Sequence, residues 1–464
     1  MGSISGKRGM SALMALMALM LGVCIMSSAR AETLSDALVA SYKHSGLLDQ
    51  NRALLRAADE DVAQSVARLR PVIGYVLSSN YSSSAAAVPG SNGLSSSLSI
   101  SADLLLYDFG RTRIGVDLAK ENVLILRDAL VGVEQGVLLR AVSAYMNVRR
   151  DSAIAGLREN NVQLITQELQ AAQDRFEVGE TTRTDVVIAQ SRLAASQSAL
   201  AAAKGTLARS REEYRAVTDH YPDRLVTPPL PPAAARTQEQ AVAIARKSHP
   251  DILQAQRRVT VSELNADVAT AAMKPALRGS AGLSVDQDGD DNTSLGLRLS
   301  GPIYQGGQLA SAYRKSAAQI DASRAALHIT RHNVDQSVGN AWAQMAVADA
   351  GLVASEQQIR ASTVAFRGVG EEASLGSRTT LDVLNAEQDL LDANASKISA
   401  ETDRYVAVYT LLSAMGLLTA QHLQLGIATY DPAAYYNAVK NAPVYKISPQ
   451  GKKLDGILKA LGKN

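Results

Sequence analysis

Few residue clusters in this 464-residue chain are spaced to do chemistry. His328 and His332 stand four apart, which puts two imidazoles on one helix face, a spacing that can hold a transition metal. No carboxylate motif accompanies them, so a solvated helix face accounts for the pair. Asp286-Gln-Asp-Gly-Asp-Asp291 has the oxygen density of a calcium loop but lacks the closing Glu, and reads as a solvated loop between strands. Asp382 and Asn385 lie one helical turn apart on a shared face, a polar pair with no nucleophile or base beside it. A phosphate-cradling glycine loop, a zinc-protease helix and a nucleophile elbow are all missing from the sequence. The expectation is therefore a protein that is not an enzyme and uses neither metal nor cofactor. A net charge of +2, without a basic patch interleaved with aromatics, gives no sign of nucleic acid as a partner.

Composition narrows the architecture. Hydrophobic residues make up 46% of the chain but aromatics only 4%. A compact core usually relies on large aromatic space-fillers; here the apolar content comes from Ala, Leu and Val, which suits long helices packed through small side chains. Residues 1–31 read as a secretory signal: Lys7 and Arg8, the apolar run Ser11 to Met26, then Ala29-Arg30-Ala31 for cleavage before Glu32. Leu21-Gly22-Val23-Cys24 only loosely matches a lipoprotein box, so cleavage after Ala31 leaves a mature chain without cysteine and without thiol chemistry. No later stretch is apolar for the 18 or so residues of a membrane helix. The exported chain is either soluble or crosses a membrane as β-strands.

The strongest signal is an internal duplication. Thr33, Gln50, Arg70 and Pro71 recur 204 positions later as Thr237, Gln254, Lys274 and Pro275. Beyond a loop the offset becomes 197, pairing Tyr107 with Tyr304, Gly110 with Gly307, Gly179 with Gly376, Thr182 with Thr379 and Asp185 with Asp382. The first repeat covers 32–232 and the second 233–425, with 426–464 left as a C-terminal equatorial segment and basic tail.

Each repeat has the same plan. A helical stretch, 33–70 or 237–273, stops before proline, which disfavours helix in the residue preceding it. Two alternating segments follow, expected as strands over 72–81 and 94–106, then 277–286 and 294–303. Ile73, Tyr75, Leu77 and Tyr81 share one parity; Leu94, Leu98, Ile100, Leu104 and Leu106 oppose Ser95, Ser97, Ser99, Ser101 and Asp103. Apolar/polar alternation over roughly 10 residues is the pattern of a transmembrane barrel strand. Four strands cannot enclose water, since about 8 merely fill a barrel's interior, so a pore needs several chains. A proline-free helix then runs 111–176, or 308–373, and at ~1.5 Å per residue reaches ~100 Å. A turn at Gly179 or Gly376 leads into a return helix over 182–219 or 379–416. Each return helix is expected to stack end to end on the 33–70 or 237–273 stretch of the other repeat, with Thr227-Pro-Pro-Leu-Pro-Pro232 at the break. The fold class is thus mainly α with a membrane β-barrel.

The junction motifs Tyr107-Asp-Phe-Gly-Arg-Thr-Arg113 and Gly301-Pro-Ile-Tyr-Gln-Gly-Gly307, and the turns Arg175-Phe-Glu-Val-Gly179 with Thr184-Asp-Val186 and Leu375-Gly-Ser-Arg378 with Leu381-Asp-Val-Leu-Asn385, resemble those of the TolC family of outer-membrane efflux channels. The resemblance runs from Glu32 to about Leu425. It implies a homotrimer with a 12-stranded barrel in outer-membrane lipid, a periplasmic tunnel, a periplasmic adaptor (membrane fusion protein), and an inner-membrane pump or ABC exporter that supplies the energy. It carries the pore-constricting acidic ring to Asp382, whose pKa three neighbouring copies would raise by like-charge repulsion. The family's second ring Asp is Asn385 here, which halves the ring charge. Arg378 falls on the family's gate arginine, and Thr184 and Asp185 on its partners, while the family's latch tyrosine is Ala373. Val178-Gly179-Glu180 and Leu375-Gly376-Ser377 match the adaptor-docking tips. A secreted coiled-coil protein with a soluble β-cap is the alternative architecture.

Overall fold

The computed structural model describes residues 32–82, 93–229 and 235–441. The signal segment, part of the Pro-rich linker and the 442–464 tail lie outside the described residues. In chain order the elements are α1 (Leu34–His44), α2 (Gly46–Ala67), β1 (Val72–Ser82), β2 (Gly93–Tyr107), α3 (Arg111–Glu177), α4 (Arg183–Thr218), α5 (Gln238–Ser248), α6 (Pro250–Ala271), β3 (Ala276–Asp286), β4 (Asp291–Ser300), α7 (Gln308–Ser374), α8 (Thr380–Ala414) and α9 (Pro432–Val439). No helix among them is long and apolar enough to cross a membrane.

The chain forms two compact units, and each draws on both repeats. One takes in the described parts of Met1–His44, Arg140–Pro231 and Leu352–Tyr405. The other takes in Ser45–Leu139 and the described parts of Pro232–Gly351 and Val406–Asn464. The 67-residue helices α3 and α7 run through both.

The strands belong to the second unit and make one antiparallel sheet in the order β1-β2-β3-β4. The central β2–β3 pairing joins the two repeats. Register aligns the apolar rows across the sheet: Tyr75 opposes Ile100, which opposes Leu283, and Leu77 opposes Leu98, which opposes Val285. The other parity places Gly74, Ser101, Gly282 and Ser294 in one row, and Asp103 beside Ser280 in another. One face is therefore apolar and the other small and polar. Among the described residues nothing packs on the apolar face: Tyr75 is 80% exposed and Leu295 89%. The fourth strand ends at Ser300 rather than at 303, because Gly301-Pro302 follows and proline has no N–H to offer the ladder. Each β-to-α junction turns on two consecutive left-handed residues, Phe109-Gly110 and Gly306-Gly307. Phe109 accepts this unfavourable conformation in contact with the Tyr107 ring at 4.8 Å and under the Lys274 ammonium at 5.4 Å.

Two expectations need correction. The stretches 33–70 and 237–273 are each broken into two helices. Ser45 caps α2 by accepting from the Leu48 amide, and Pro250 sits at the first position of α6, where its missing N–H costs no helical bond. The half-helices also meet within a repeat, not across repeats. In the first unit α1 packs on α4, and the Tyr145 hydroxyl of α3 reaches both the Glu32 carbonyl at 3.0 Å and the Val226 carbonyl at 2.6 Å. In the second unit Ala241, Ala245 and Ile252 share a core with Val338, Leu411 and Met415, all from one repeat. The Ser248 hydroxyl at the end of α5 donates to the Met415 carbonyl just past α8 at 2.8 Å, which fixes that meeting inside the second repeat.

The C-terminal segment docks on α2 in the second unit. Tyr435 and Val439 bury against Ala63, and Tyr430 and Tyr436 pack on the Leu55, Val62 and Val123 cluster. Full burial of such side chains is worth about 1.5–3 kcal/mol each. One buried group works against this. Asp59 is 0% exposed, and neither carboxylate oxygen has a hydrogen-bond partner among the described residues. Burial pushes its pKa up to about 6, opposed by Arg127 and assisted by Glu60. A carboxyl raised in this way favours folding while protonated, so stability falls as pH rises from about 4 to about 6. Asp59→Asn should remove that decline and raise stability at pH 7.5 by about 1–3 kcal/mol. Thermal melting of both proteins at pH 5 and pH 7.5 checks this, and an unaltered pH profile would refute it.

Candidate functional site

The two helix reversals of the first unit are built alike. At the first, the Gly179 amide donates to Phe176 O at 3.0 Å and the Glu180 amide to Arg175 O at 2.8 Å. At the second, the Gly376 amide donates to Ala373 O at 3.0 Å and the Ser377 amide to Glu372 O at 2.9 Å. This pairing of the last carbonyls requires a left-handed residue after the helix, and Gly179 and Gly376 supply it at φ 79° and 76°. Val178 and Leu375 stand at the apex, 71% and 82% exposed.

The next helix starts alike in both repeats. Thr182 and Asp185 form a reciprocal capping box at α4. At α8 the Thr379 amide and hydroxyl donate to Asp382 Oδ2 at 3.0 and 2.9 Å, and the Asp382 amide donates back to Thr379 Oγ1 at 3.3 Å. The amide and hydroxyl of Thr379, and then the charge of Arg378, hold the Asp382 carboxyl below its ordinary range within one chain. Asp382 is thus an ionised cap at the start of α8.

The other predicted residues part company. The Asn385 side chain accepts from Arg192 Nη2 of α4 at 2.7 Å instead of sharing open space with Asp382. Arg378 does not reach Thr184 or Asp185 within the chain. Its Nε donates to Glu372 Oε2 at 2.8 Å, across the turn, while the Asp185 carboxylate is occupied by Thr182. The nearer acid wins because the reversal brings Glu372 and Arg378 together whatever the neighbouring helices do. His328 and His332 stack at 5.8 Å on exposed α7, and no group of three or more metal-ligating residues occurs among the described residues.

The sheet, the long helices and the duplicated turns meet one family description. The model of the outer membrane efflux protein family matches residues 40–218 and 241–417, one stretch in each repeat. The chain belongs to this family. It is 35% identical over 437 residues to the outer membrane efflux protein BepC of Brucella suis biovar 1 (strain 1330), covering 92% of this chain and 94% of that one. It is 25% identical over 380 residues to outer membrane protein TolC of Vibrio cholerae serotype O1, covering 79% of this chain and 86% of the relative. In fold it is similar to the Campylobacter jejuni CmeC outer membrane channel, with a TM-score of 0.76 at 13% identity, covering 89% of this chain and 90% of that structure. The chain-level fold read from the motifs, four antiparallel strands on duplicated long helical hairpins, is the one observed, and the protein is an outer-membrane efflux-family channel protein.

Beside the predicted residues of this efflux-family chain lie polar contacts that sequence reasoning missed. Glu387, one helical turn beyond Val383, is buried between helices and accepts from Asn161 Nδ2 of α3 at 2.6 Å. Burial pushes its pKa up to about 7, against the Asn161 bond and with help from Glu168. Glu32 is a second junction: its carboxylate accepts from the Tyr214 hydroxyl and meets His220 Nε2 at 2.8 Å. The capping boxes were within reach of pattern reading, since Thr-x-x-Asp recurs at 33, 182 and 379. Nothing local marks Glu387 or Glu32, whose partners lie 226 and 188 residues away.

Proposed function

We propose that three copies of this chain close a single 12-stranded barrel in the outer membrane, four strands from each, and continue it as a helical tunnel in the periplasm. The duct is the passive exit of a tripartite efflux pump, a type I secretion system, or both. The observation that carries this reading is the sheet. One face is apolar and uncovered, the other is small and polar, and β1 and β4 each keep an edge that no described strand pairs. In hydrocarbon every backbone N–H and C=O needs a partner, so those edges must meet edges of other copies. A soluble β-cap has no use for an apolar face on all four strands.

The remaining roles follow from this assembly. The exposed tips Val178-Gly179-Glu180 and Leu375-Gly376-Ser377 receive the periplasmic adaptor, and the adaptor links the duct to an inner-membrane pump or ABC exporter that supplies the energy. Asp382 carboxylates from three copies ring the periplasmic opening. Asn385, tied to Arg192, adds no charge to that ring. Arg378 holds Glu372 through Nε alone, and its Nη groups are left to reach Thr184 or Asp185 of a neighbouring copy in the closed duct. The chain does no covalent chemistry on what passes through it. The efflux designation of BepC, at 35% identity, supports the efflux role.

Gel electrophoresis of an unheated outer-membrane fraction should show a trimer band that collapses on heating; recovery of the protein as a soluble monomer would sink the reading. In planar bilayers the channel should prefer cations, and Asp382→Ala should lower that preference severalfold; unchanged selectivity would remove Asp382 from the constriction. Arg378→Ser should raise conductance, and a conductance equal to wild type would discard the latch.

A further inference from the structure

The first unit holds a recess of about 410 Å³ that the conduit reading does not use. Its lining includes Val148, Arg149 and Ser152 from α3, Arg211 from α4, and Asp223 and Arg224 from the segment that follows. Three guanidinium groups thus face one carboxylate. Arg149 is half-buried and anchored, with Nη2 donating to Thr227 Oγ1 at 2.8 Å. The acids that could neutralise the others are already engaged. Asp151 takes Arg150 at 2.9 Å and the Ser210 hydroxyl, Glu212 takes Arg215 at 3.0 Å and the Tyr221 hydroxyl at 2.7 Å, and Glu213 takes Arg140 at 2.7 Å. Among the described residues no side chain bonds or ion-pairs with Arg211 or Arg224. The floor is apolar, with Val148 only 4% exposed.

We propose that Arg149, Arg211 and Arg224 form a binding site for a small organic anion carrying phosphate or carboxylate groups. Guanidinium stays charged at every physiological pH and offers a planar fork that matches two oxygens of either group. The recess lies within the roughly 300–1,000 Å³ typical of small-molecule sites and is larger than a bare oxyanion needs. Ala153, Pro222 and Leu225, also in the lining, would pack against the ligand's body while the arginines hold its charged end. The site is in the helical part of the chain and is independent of the barrel and of the gate.

Isothermal titration of the purified full-length protein in detergent, at low ionic strength, tests this with pyrophosphate and citrate as probes. The expected result is saturable binding of at least one probe, with one site per chain. The Arg211→Gln/Arg224→Gln pair should weaken it by about tenfold or more, while Arg209→Gln, outside the recess, leaves it unchanged. Should the pair misfold by circular dichroism, Arg224→Gln alone should still weaken binding by about threefold or more. Preference for pyrophosphate identifies a phosphate site and preference for citrate a carboxylate site. Absence of saturable heat with both probes overturns the proposal, as does equal weakening by Arg209→Gln, which would mean adventitious surface binding only. Loss of assembly in the paired variant would also overturn it, because the arginines would then be filled by acids of a second copy.

Discussion

A polypeptide in hydrocarbon has no water to satisfy its backbone, and the rest of this molecule is arranged around that constraint. The strands β1 to β4 satisfy one another internally and leave two open edges, one at each end of a sheet that joins the repeats through β2 and β3. A single chain therefore carries an open four-stranded sheet, and in the proposed assembly this is a fragment of a closed wall. Serine, glycine and aspartate on one parity, and leucine, isoleucine and tyrosine on the other, give the sheet of one chain a polar and an apolar surface.

The helices solve a different problem. Their sequence holds few aromatics, so cohesion comes from alanine, valine and leucine in narrow seams such as Ala241, Ala245, Val338 and Leu411. Seams of that kind leave little room for polar groups, and the exceptions stand out. Asp59 and Glu387 are carboxyls kept from water at raised pKa, one under the C-terminal segment and one beside the helix reversals. Both make local packing responsive to protons, in units of the chain that fold around separate cores.

Much of this was legible in the amino-acid order, for definable reasons. Strand faces have a period of two and long helices lack proline, so both are local properties that a one-dimensional reading can see. The 204 and 197 offsets located the repeats because glycine and proline at turns tolerate few substitutes. What stayed hidden depends on distant partners. The breaks at Ser45 and Pro250 carried local cap signals that an amphipathic pattern running through them obscured. The pairing of half-helices within a repeat rests on contacts between distant residues, such as Ser248 with Met415, 167 positions apart. Asn385 with Arg192, Glu387 with Asn161, and Arg378 with Glu372 required coordinates, because many acids and amides stand near each of these residues in sequence.

The reversals at Gly179 and Gly376 share their hydrogen bonds, their glycine and the Thr-x-x-Asp that follows, so as hinges they are interchangeable. Any lopsidedness in how the two hairpins swing must originate just beyond them. There the copies diverge: Asn385 and Glu387 stand where the first repeat has Ile188 and Gln190, and their contacts with Arg192 and Asn161 tie the second hairpin to the first. Duplication produced a pair of equivalent joints, and a handful of side chains just beyond them, present in one copy only, are what fasten the two arms to each other.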